Sequence, residues 1–457
     1  MMSPLRPTRR LRDAVDHVAK RSPARLVLVV FASIIAVITV LLSVPAATSG
    51  PGRAPFVDAL FTAVSAVCVT GLTTVSTAAY WSPFGQAVIL VGVKVGGLGV
   101  MTLASVLALA VSRRIGLTHR LLVASETKET RLGEVGTLVR AVLITSVVVE
   151  VVLICALLPR FLAMGHSPGG ALWQAVFMSL SIFNNAGFVI LDGGLAPHVG
   201  DWAMGLPIII GGAVGALGFP VLLNVADRWR RPRAWSLHTK LTLATYGLLA
   251  LGGAAVLGAL EWANPATLGR LSLSERLLTT LMFGVNSRSS GLSTIDVAEL
   301  REASWLVQDA LMFVGGGSAS TAGGIKVTTF AVLVLAIVAE ARGDRDIEAF
   351  GMRVRTSGVR LAVAVAFLGA TLVGGAALAL LLLTDQHLDV VLFEVISAFG
   401  TVGLSTGITA ELPDGGKYVL SALMFAGRTG TMTLAAALAL RQRRRLIRMP
   451  AQRPIIG

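Results

Sequence analysis

The chain has 457 residues, 54% of them hydrophobic and only 14% charged, with 49 glycines spread along its length. That composition excludes an ordinary soluble domain and implies an integral membrane protein. Its two cysteines, Cys68 and Cys155, lie in apolar stretches and exclude a disulfide framework or cysteine metal cluster, while the net charge of +14 flanks apolar runs instead of forming a nucleic-acid patch.

In chain order, residues 1–25 form a basic arm. The apolar run behind it is too long for a signal peptide and has no obvious small-residue cleavage site inside the expected range, so the arm reads as a cytoplasmic tail that stays. Crossings are predicted at 26–47, 85–112, 139–162, 202–226, 240–260, 306–340, 359–383 and 416–440, each near or above the roughly 20 apolar residues that a bilayer requires. Of the 39 Lys and Arg, 29 fall in residues 1–26, 113–140, 228–240, 342–360 and 441–457. The intervening loops hold acids such as Asp58, Asp201, Glu275, Asp296 and Asp414. The positive-inside rule then places both termini in the cytoplasm and makes the number of crossings even, here eight. Between paired crossings lie apolar stretches too short to span, at 56–68, 171–184, 275–286 and 389–399. These read as re-entrant helices whose ends must line water or be buried in protein.

The loops after the short helices superpose: SAVCVTGLTT at 65–74, SIFNNAGFVI at 181–190, NSRSSGLSTI at 286–295 and SAFGTVGLST at 397–406. Each carries one glycine at the helix end, namely Gly71, Gly187, Gly291 and Gly403. A repeat of this period implies a modular architecture. The expected fold is an all-α integral membrane protein with four span, pore-helix, span repeats around a pseudo-fourfold central pore. The repeats are 26–112, 139–226, 240–340 and 359–440, followed by a basic cytoplasmic tail at 441–457. Four such loops can surround a dehydrated cation with carbonyl oxygens, glycine permitting the backbone turn and the short helices directing partially negative ends inward. Any one glycine taken singly can be a Schellman cap, but four at this period argue against that reading.

The sixth crossing is overlong and interrupted by Gly315, Gly316, Gly317, Ser318, Ser320, Thr321, Gly323 and Gly324 before Lys326. These residues hold a regular helix poorly. An interruption at membrane depth must line a cavity or be buried, which makes 315–326 a candidate gate loop beneath the third filter loop. A kink for close helix packing is the alternative.

With GGLGVMT at 96–102, GGGSASTAGGIK at 315–326 and AGRTGTMTL at 426–434, the fourfold unit resembles the Trk/Ktr/HKT superfamily of potassium-translocating membrane subunits over about residues 26–440. The resemblance implies a potassium uptake protein of the short eight-span type in the cell membrane, driven by membrane potential, with coupling to sodium left open. The implied filter is Val69, Thr70 and Gly71; Asn185, Ala186 and Gly187; Ser289, Ser290 and Gly291; and Thr401, Val402 and Gly403, with potassium at the carbonyls. In that family a serine at the first filter glycine accompanies sodium, so Gly71 implies potassium. The resemblance also implies a homodimer, each protomer with its own pore, resting on a cytosolic ring of nucleotide-binding regulatory subunits. This chain carries no strand, GxGxxG and helix unit, so a regulatory nucleotide belongs to that partner, and no covalently bound cofactor is expected. The basic loops 113–140 and 342–360 are either docking surfaces or anionic-lipid contacts in the bilayer.

Intramembrane charges are costly and therefore informative. Arg428, in the last span, either bonds gate-loop carbonyls or forms a positive barrier, unless it is a structural anchor. Lys326 either ties the loop down or snorkels to the cytoplasm. Arg288 is expected to brace the third filter loop against an acid such as Asp296 or Glu275. Lys94 stands where the resembled family would carry a neutral polar residue such as glutamine, and facing the conduction path it would disfavour permeation; Glu150 either pairs with it or bonds a neighbouring backbone. The second filter loop lacks the Thr/Ser and Leu of the others, which weakens strict potassium selectivity and leaves a sodium/potassium pore open. A coupled transporter of another solute would be expected to use inverted repeats, whereas these run parallel. An enzyme is not indicated, because His17, His119, His166, His198, His238 and His387 lie in loops or tails without ligand spacing.

Overall fold

The computed structural model describes residues 23–115 and 133–430. The basic arm up to residue 22, residues 116–132 of the second basic segment, the end of the last crossing and the tail 441–457 lie outside the described residues. The first group of helices is α1 (Pro23–Leu42), α2 (Phe56–Cys68) and α3 (Pro83–Ile115). The second is α4 (Gly133–Ala163), α5 (Pro168–Asn184) and the pair α6 (Trp202–Leu217) and α7 (Phe219–Asp227). The third is α8 (Leu237–Glu261), α9 (Leu273–Asn286), α10 (Glu302–Phe313) and α11 (Val327–Arg342). A small antiparallel hairpin, β1 (Ile347–Ala349) and β2 (Met352–Val354), precedes the fourth: α12 (Thr356–Leu383), α13 (Leu388–Gly400) and α14 (Asp414–Phe425). A π-helical turn over Ala426–Gly430 continues α14. Among the described residues the fold is all-α apart from that hairpin.

The crossings are not eight straight rods. Among the described residues, α4, α8 and α12 are each long and apolar enough to cross a membrane alone. The expected single crossing 202–226 is instead two helices, α6 and α7, bent by 96°. Its break is Gly218, at φ +90°, followed by Pro220, which has no backbone N–H to continue the ladder. The sixth crossing is likewise split into α10 and α11. The described apolar parts of α1 and α3, Val27–Leu42 and Pro83–Gly99, are shorter. Helix starts follow local chemistry: Ser167 caps α5 ahead of Pro168, Asp201 accepts the N–H groups of Ala203 and Met204, and Ser272 with Glu275 forms a capping box on α9.

Outward rows such as Val37 and Val40 on α1, Val151 and Val152 on α4, Leu248 and Leu251 on α8, and Phe367 and Leu382 on α12 are exposed. Hydrocarbon tolerates such a surface and water does not. Inside, α3 packs on α5, α6 on α9, α10 on α13 and α14 on α2. The second span of each group thus lies against the short helix of the next, and the last returns to the first. An ion pair, Lys417 to Asp58 at 3.0 Å, fastens that closing contact.

Candidate ion path and gate loop

Three short helices end on a left-handed residue that is not glycine: Val69 at φ +57°, Asn185 at φ +56° and Thr401 at φ +49°. In the first, the Val69 N–H donates to Ala66 O at 3.1 Å and the Thr70 N–H to Ser65 O at 2.8 Å. Asn185 with Ala186, and Thr401 with Val402, repeat this Schellman pattern. The caps are therefore complete one residue before Gly71, Gly187 and Gly403, and the reading of those glycines as plain helix caps is corrected. The third helix differs: Ser287 is right-handed, and the turn falls at Ser290, φ +83°.

What the four glycines do is visible in what a β-carbon would meet. On Gly71 it would lie 2.5 Å from Ala186 O, on Gly187 2.6 Å from Ser290 O, on Gly291 2.3 Å from Val402 O, and on Gly403 2.2 Å from Thr70 O. All four have positive φ. Each glycine abuts the carbonyl preceding the next glycine, and the fourth returns to the first, so the loops form a closed ring. A pocket of about 270 Å³ adjoins it, lined among others by Gly187, Gly291, Gly403 and Asp296.

Each loop is tied to its own helix. The N–H groups of Gly71 and Gly403 donate to Ser65 Oγ at 3.0 Å and Ser397 Oγ at 3.1 Å. Ser181 Oγ donates to Phe188 O at 2.8 Å, and Asn286 Nδ2 to Leu292 O at 2.6 Å. Glu394, fully buried on α13, accepts from the Ser405 hydroxyl, from Thr406 N–H at 2.9 Å and from Thr409 Oγ1 at 2.8 Å. Sequence reasoning missed these ties, although Ser65, Ser181 and Ser397 stand six residues before their glycines and open three of the aligned loops. A second recurrence lies beneath: β-carbons on Gly96, Gly215 and Gly427 would lie 1.9, 2.0 and 1.9 Å from Val67 O, Phe183 O and Phe399 O. Those carbonyls each stand four residues before a ring glycine, which explains the glycines of GGLG and AGRTG as close approaches of span to short helix.

Between α10 and α11 the chain is a true loop and not a kink. Gly315 N–H donates to Ile325 O at 2.8 Å and Val327 N–H to Gly316 O at 3.0 Å, closing its base. Gly317 N–H donates to Ala216 O at 2.7 Å, Thr321 N–H to Gly215 O at 3.3 Å, and Phe219 N–H to Ala319 O at 3.2 Å. The loop's backbone groups are thus met by the broken end of α6, as non-helical backbone at membrane depth requires. Ser320 Oγ donates to Gly317 O at 2.6 Å, and Ser318 shares a hydroxyl bond of 3.2 Å with Thr328. Gly324 carries the loop through φ +65°.

The loop also touches the ring. Asn185 Nδ2 donates to Thr321 Oγ1 at 2.7 Å, and a β-carbon on Gly323 would lie 2.2 Å from Thr401 Oγ1. Buried Arg428 donates from Nη1 to Thr321 O, so of the alternatives for that arginine the structure has the carbonyl bond. Lys326 Nζ turns back to Ala322 O at 2.5 Å, tying the loop instead of snorkelling. Arg288 braces the third loop from behind, but the expected acid partner is corrected. Its Nη1 donates to Tyr246 O at 2.8 Å, its Nη2 to Gly315 O at 2.6 Å, and its guanidinium lies 4.2 Å from the Tyr246 ring centroid. Glu275 and Asp296 are occupied as helix caps. Lys94 and Glu150, left open by the sequence, meet at 2.5 Å.

A closed ring of four loops on four short helices, with a broken span folded beneath it, defines a multi-pass helical membrane protein of fourfold internal repeat. The chain belongs to the TrkH family of cation transport proteins, which it matches over residues 29–444. That family is one of transport proteins, not enzymes. The chain is 36% identical over 434 residues to Ktr system potassium uptake protein B of Bacillus subtilis (strain 168), covering 94% of this chain and 95% of that relative. It is 34% identical over 438 residues to potassium/sodium uptake protein NtpJ of Enterococcus hirae, covering 94% and 95%. The crystal structure of the potassium transporter TrkH from Vibrio parahaemolyticus shares the fold, with TM-score 0.70 and 18% identity over 90% of this chain and 83% of that one.

Proposed function

We propose that this chain takes up potassium across the cytoplasmic membrane through the four-loop ring, driven by the membrane potential. The observation that carries this reading is the closed order of the glycines, each set against the carbonyl before the next. Inward carbonyls from four sides replace the hydration shell of a cation, and the short helices add their partially negative ends. The ion-binding residues are the three that end at each ring glycine, Val69–Gly71, Asn185–Gly187, Ser289–Gly291 and Thr401–Gly403. The loop Gly315–Lys326, held by Arg428, is the gate beneath them. The placing of basic segments supports cytoplasmic termini. Relatives named as proteins of Ktr systems support a membrane subunit that works with a separate regulatory subunit. We extend this to a homodimer on a cytosolic nucleotide-binding ring, with the nucleotide bound by the partner.

A second reading, a pore passing sodium as well as potassium, is favoured by the unlike second loop and by the name of the Enterococcus relative. Uptake of potassium, rubidium and sodium in potassium-uptake-deficient cells tests both, using the parent, Gly71→Ser and Gly403→Ser. Growth at limiting potassium with the parent, and loss of potassium preference in either serine variant, is the expected result. A parent that carries sodium equally well establishes the second reading. A parent that moves no monovalent cation even with a regulatory subunit supplied, and serine variants that match it, remove the pore assignment.

A further inference from the structure

One charged cluster lies behind the ring. Lys94 on α3 donates to both oxygens of Glu150 on α4, at 2.5 and 2.6 Å, and to Ser146 Oγ at 2.7 Å. Ser146 Oγ donates to Glu150 at 3.0 Å. Glu150 passes this hold inward: its Oε1 accepts from Asn184 Nδ2 at 3.3 Å, and its backbone carbonyl accepts from Ser179 Oγ at 2.7 Å. Asn184 is the fully buried last residue of α5. Its Oδ1 lies against α3, 2.1 Å from where a β-carbon on Gly97 would stand. The next residue, Asn185, is the left-handed cap and the donor to Thr321 of the gate loop. Spans of two different groups therefore converge on one amide, at the turn into the second loop.

The third group braces the same position by other chemistry. Arg288, like Asn184, stands three residues before its ring glycine and is held from the first span of its own group, by Tyr246 O and the Tyr246 ring. In the first and fourth loops this position is Cys68 or Gly400, which present no amide or guanidinium to hold. Loop two is also the one whose residues depart most from the others.

We propose that Lys94 and Glu150 are positioning residues that fix the second loop and so set how strictly the ring prefers potassium over sodium; this rests on the pore reading above. Glu150 is 5% exposed and Lys94 supplies its neutralising charge, so the Asn184 amide, which also donates to Leu180 O at 2.9 Å within α5, is held from outside its own helix by a charge-balanced assembly. Lys94 acts behind the ring and not on the permeating ion.

The test compares two neutral double variants, which leave no uncompensated charge. Lys94→Met with Glu150→Gln keeps an oxygen for Asn184, whereas Lys94→Met with Glu150→Leu removes it. Potassium and sodium uptake are measured in potassium-uptake-deficient cells alongside the amount of each protein in the membrane. The glutamine variant is expected to keep the parental potassium-to-sodium ratio within about threefold and the leucine variant to lose about tenfold, the scale of one buried hydrogen bond. The single Lys94→Met variant, which strands the carboxylate, is expected to lose at least as much as the leucine variant. Equal ratios in the two double variants overturn the proposal, because a purely structural role lowers the amount of transporter without changing its preference. A parent that moves no monovalent cation overturns the pore reading and this inference with it. A selective parent matched by both double variants overturns the inference alone.

Discussion

Alanine at Gly403 and at Gly407 separates the ring from ordinary glycine strain. Gly403 has φ +98°, and a β-carbon there would stand 2.2 Å from Thr70 O. Gly407, four residues on, has φ +100° and nothing within 4 Å of the corresponding position. An L residue in the left-handed region costs roughly 1–2 kcal/mol, and both substitutions carry that cost. They differ in the ring contact. Ordinary contact begins near 3.4 Å, so in Gly403→Ala the first and fourth loops must part by about 1 Å, since a backbone carbonyl cannot swing aside as a side chain does.

A parting of that size spoils coordination that depends on the number and spacing of carbonyl ligands. Both variants are expressed in potassium-uptake-deficient cells, and potassium and sodium uptake are normalised to the protein in the membrane. Gly407→Ala is expected to keep the parental ratio. Gly403→Ala is expected to lose growth at limiting potassium, or to lose about tenfold or more of its potassium preference. Equal ratios in the two variants would falsify the account of the ring as a spacing device.

Other substitutions probe the loop beneath and its supports. Arg428→Ala removes the donor to Thr321 O; rubidium flux into vesicles lacking any partner subunit is expected to rise about threefold or more, and an unchanged flux counts against the tether. Gly218→Ala sets a β-carbon 2.5 Å from Ser318 O and should alter that flux, whereas Gly343→Ala, at φ +74° in open space, should not. Glu394→Ala strands the donors of Ser405, Thr406 and Thr409; a loss of roughly 3 kcal/mol or more is expected as a lower melting temperature in detergent. Glu394→Gln, which keeps an acceptor, should lose less.

The short helices were legible from apolar runs bounded by loops, because their C-terminal halves are buried and carry few charged residues. Predicted starts at 171, 275 and 389 fall one to three residues inside the observed Pro168, Leu273 and Leu388, since Pro168 and the Ser272 capping box extend helices past their apolar residues. Charge pairing was less legible. An acid was expected for Arg288 because charges at membrane depth seek opposite charges, yet a broken helix offers carbonyls closer by, and Gly315 O takes that place. The bend at Gly218 was written in Gly218-Phe219-Pro220, but unbroken hydrophobicity across 202–226 hid it. Glu394 carried no signal by position alone. Only the hydroxyls of Ser405, Thr406 and Thr409 in the following loop hinted that a buried carboxylate could be satisfied there.

The departure of the third repeat follows from where the loop between α10 and α11 has to sit. In the first, second and fourth groups a glycine of the second span presses against the short helix four residues before the ring, at Gly96, Gly215 and Gly427. The second span of the third group is unwound from Val314 to Lys326, so no helix is there to make that contact. Arg288 fills the gap, reaching from its own loop to the carbonyl of Gly315, where the unwound segment begins. A guanidinium suits this task because it can donate to Tyr246 and Gly315 at once while its face lies on an aromatic ring. Lysine at 288 would keep the charge but lose the planar fork. The ring would then depend on a single flexible donor where it meets the loop between α10 and α11, so Arg288→Lys should change rubidium flux per transporter more than it lowers the amount of folded protein. Rubidium flux per transporter, set against the protein recovered in the membrane, distinguishes the two; a fall in both together would mean that Arg288 serves folding alone.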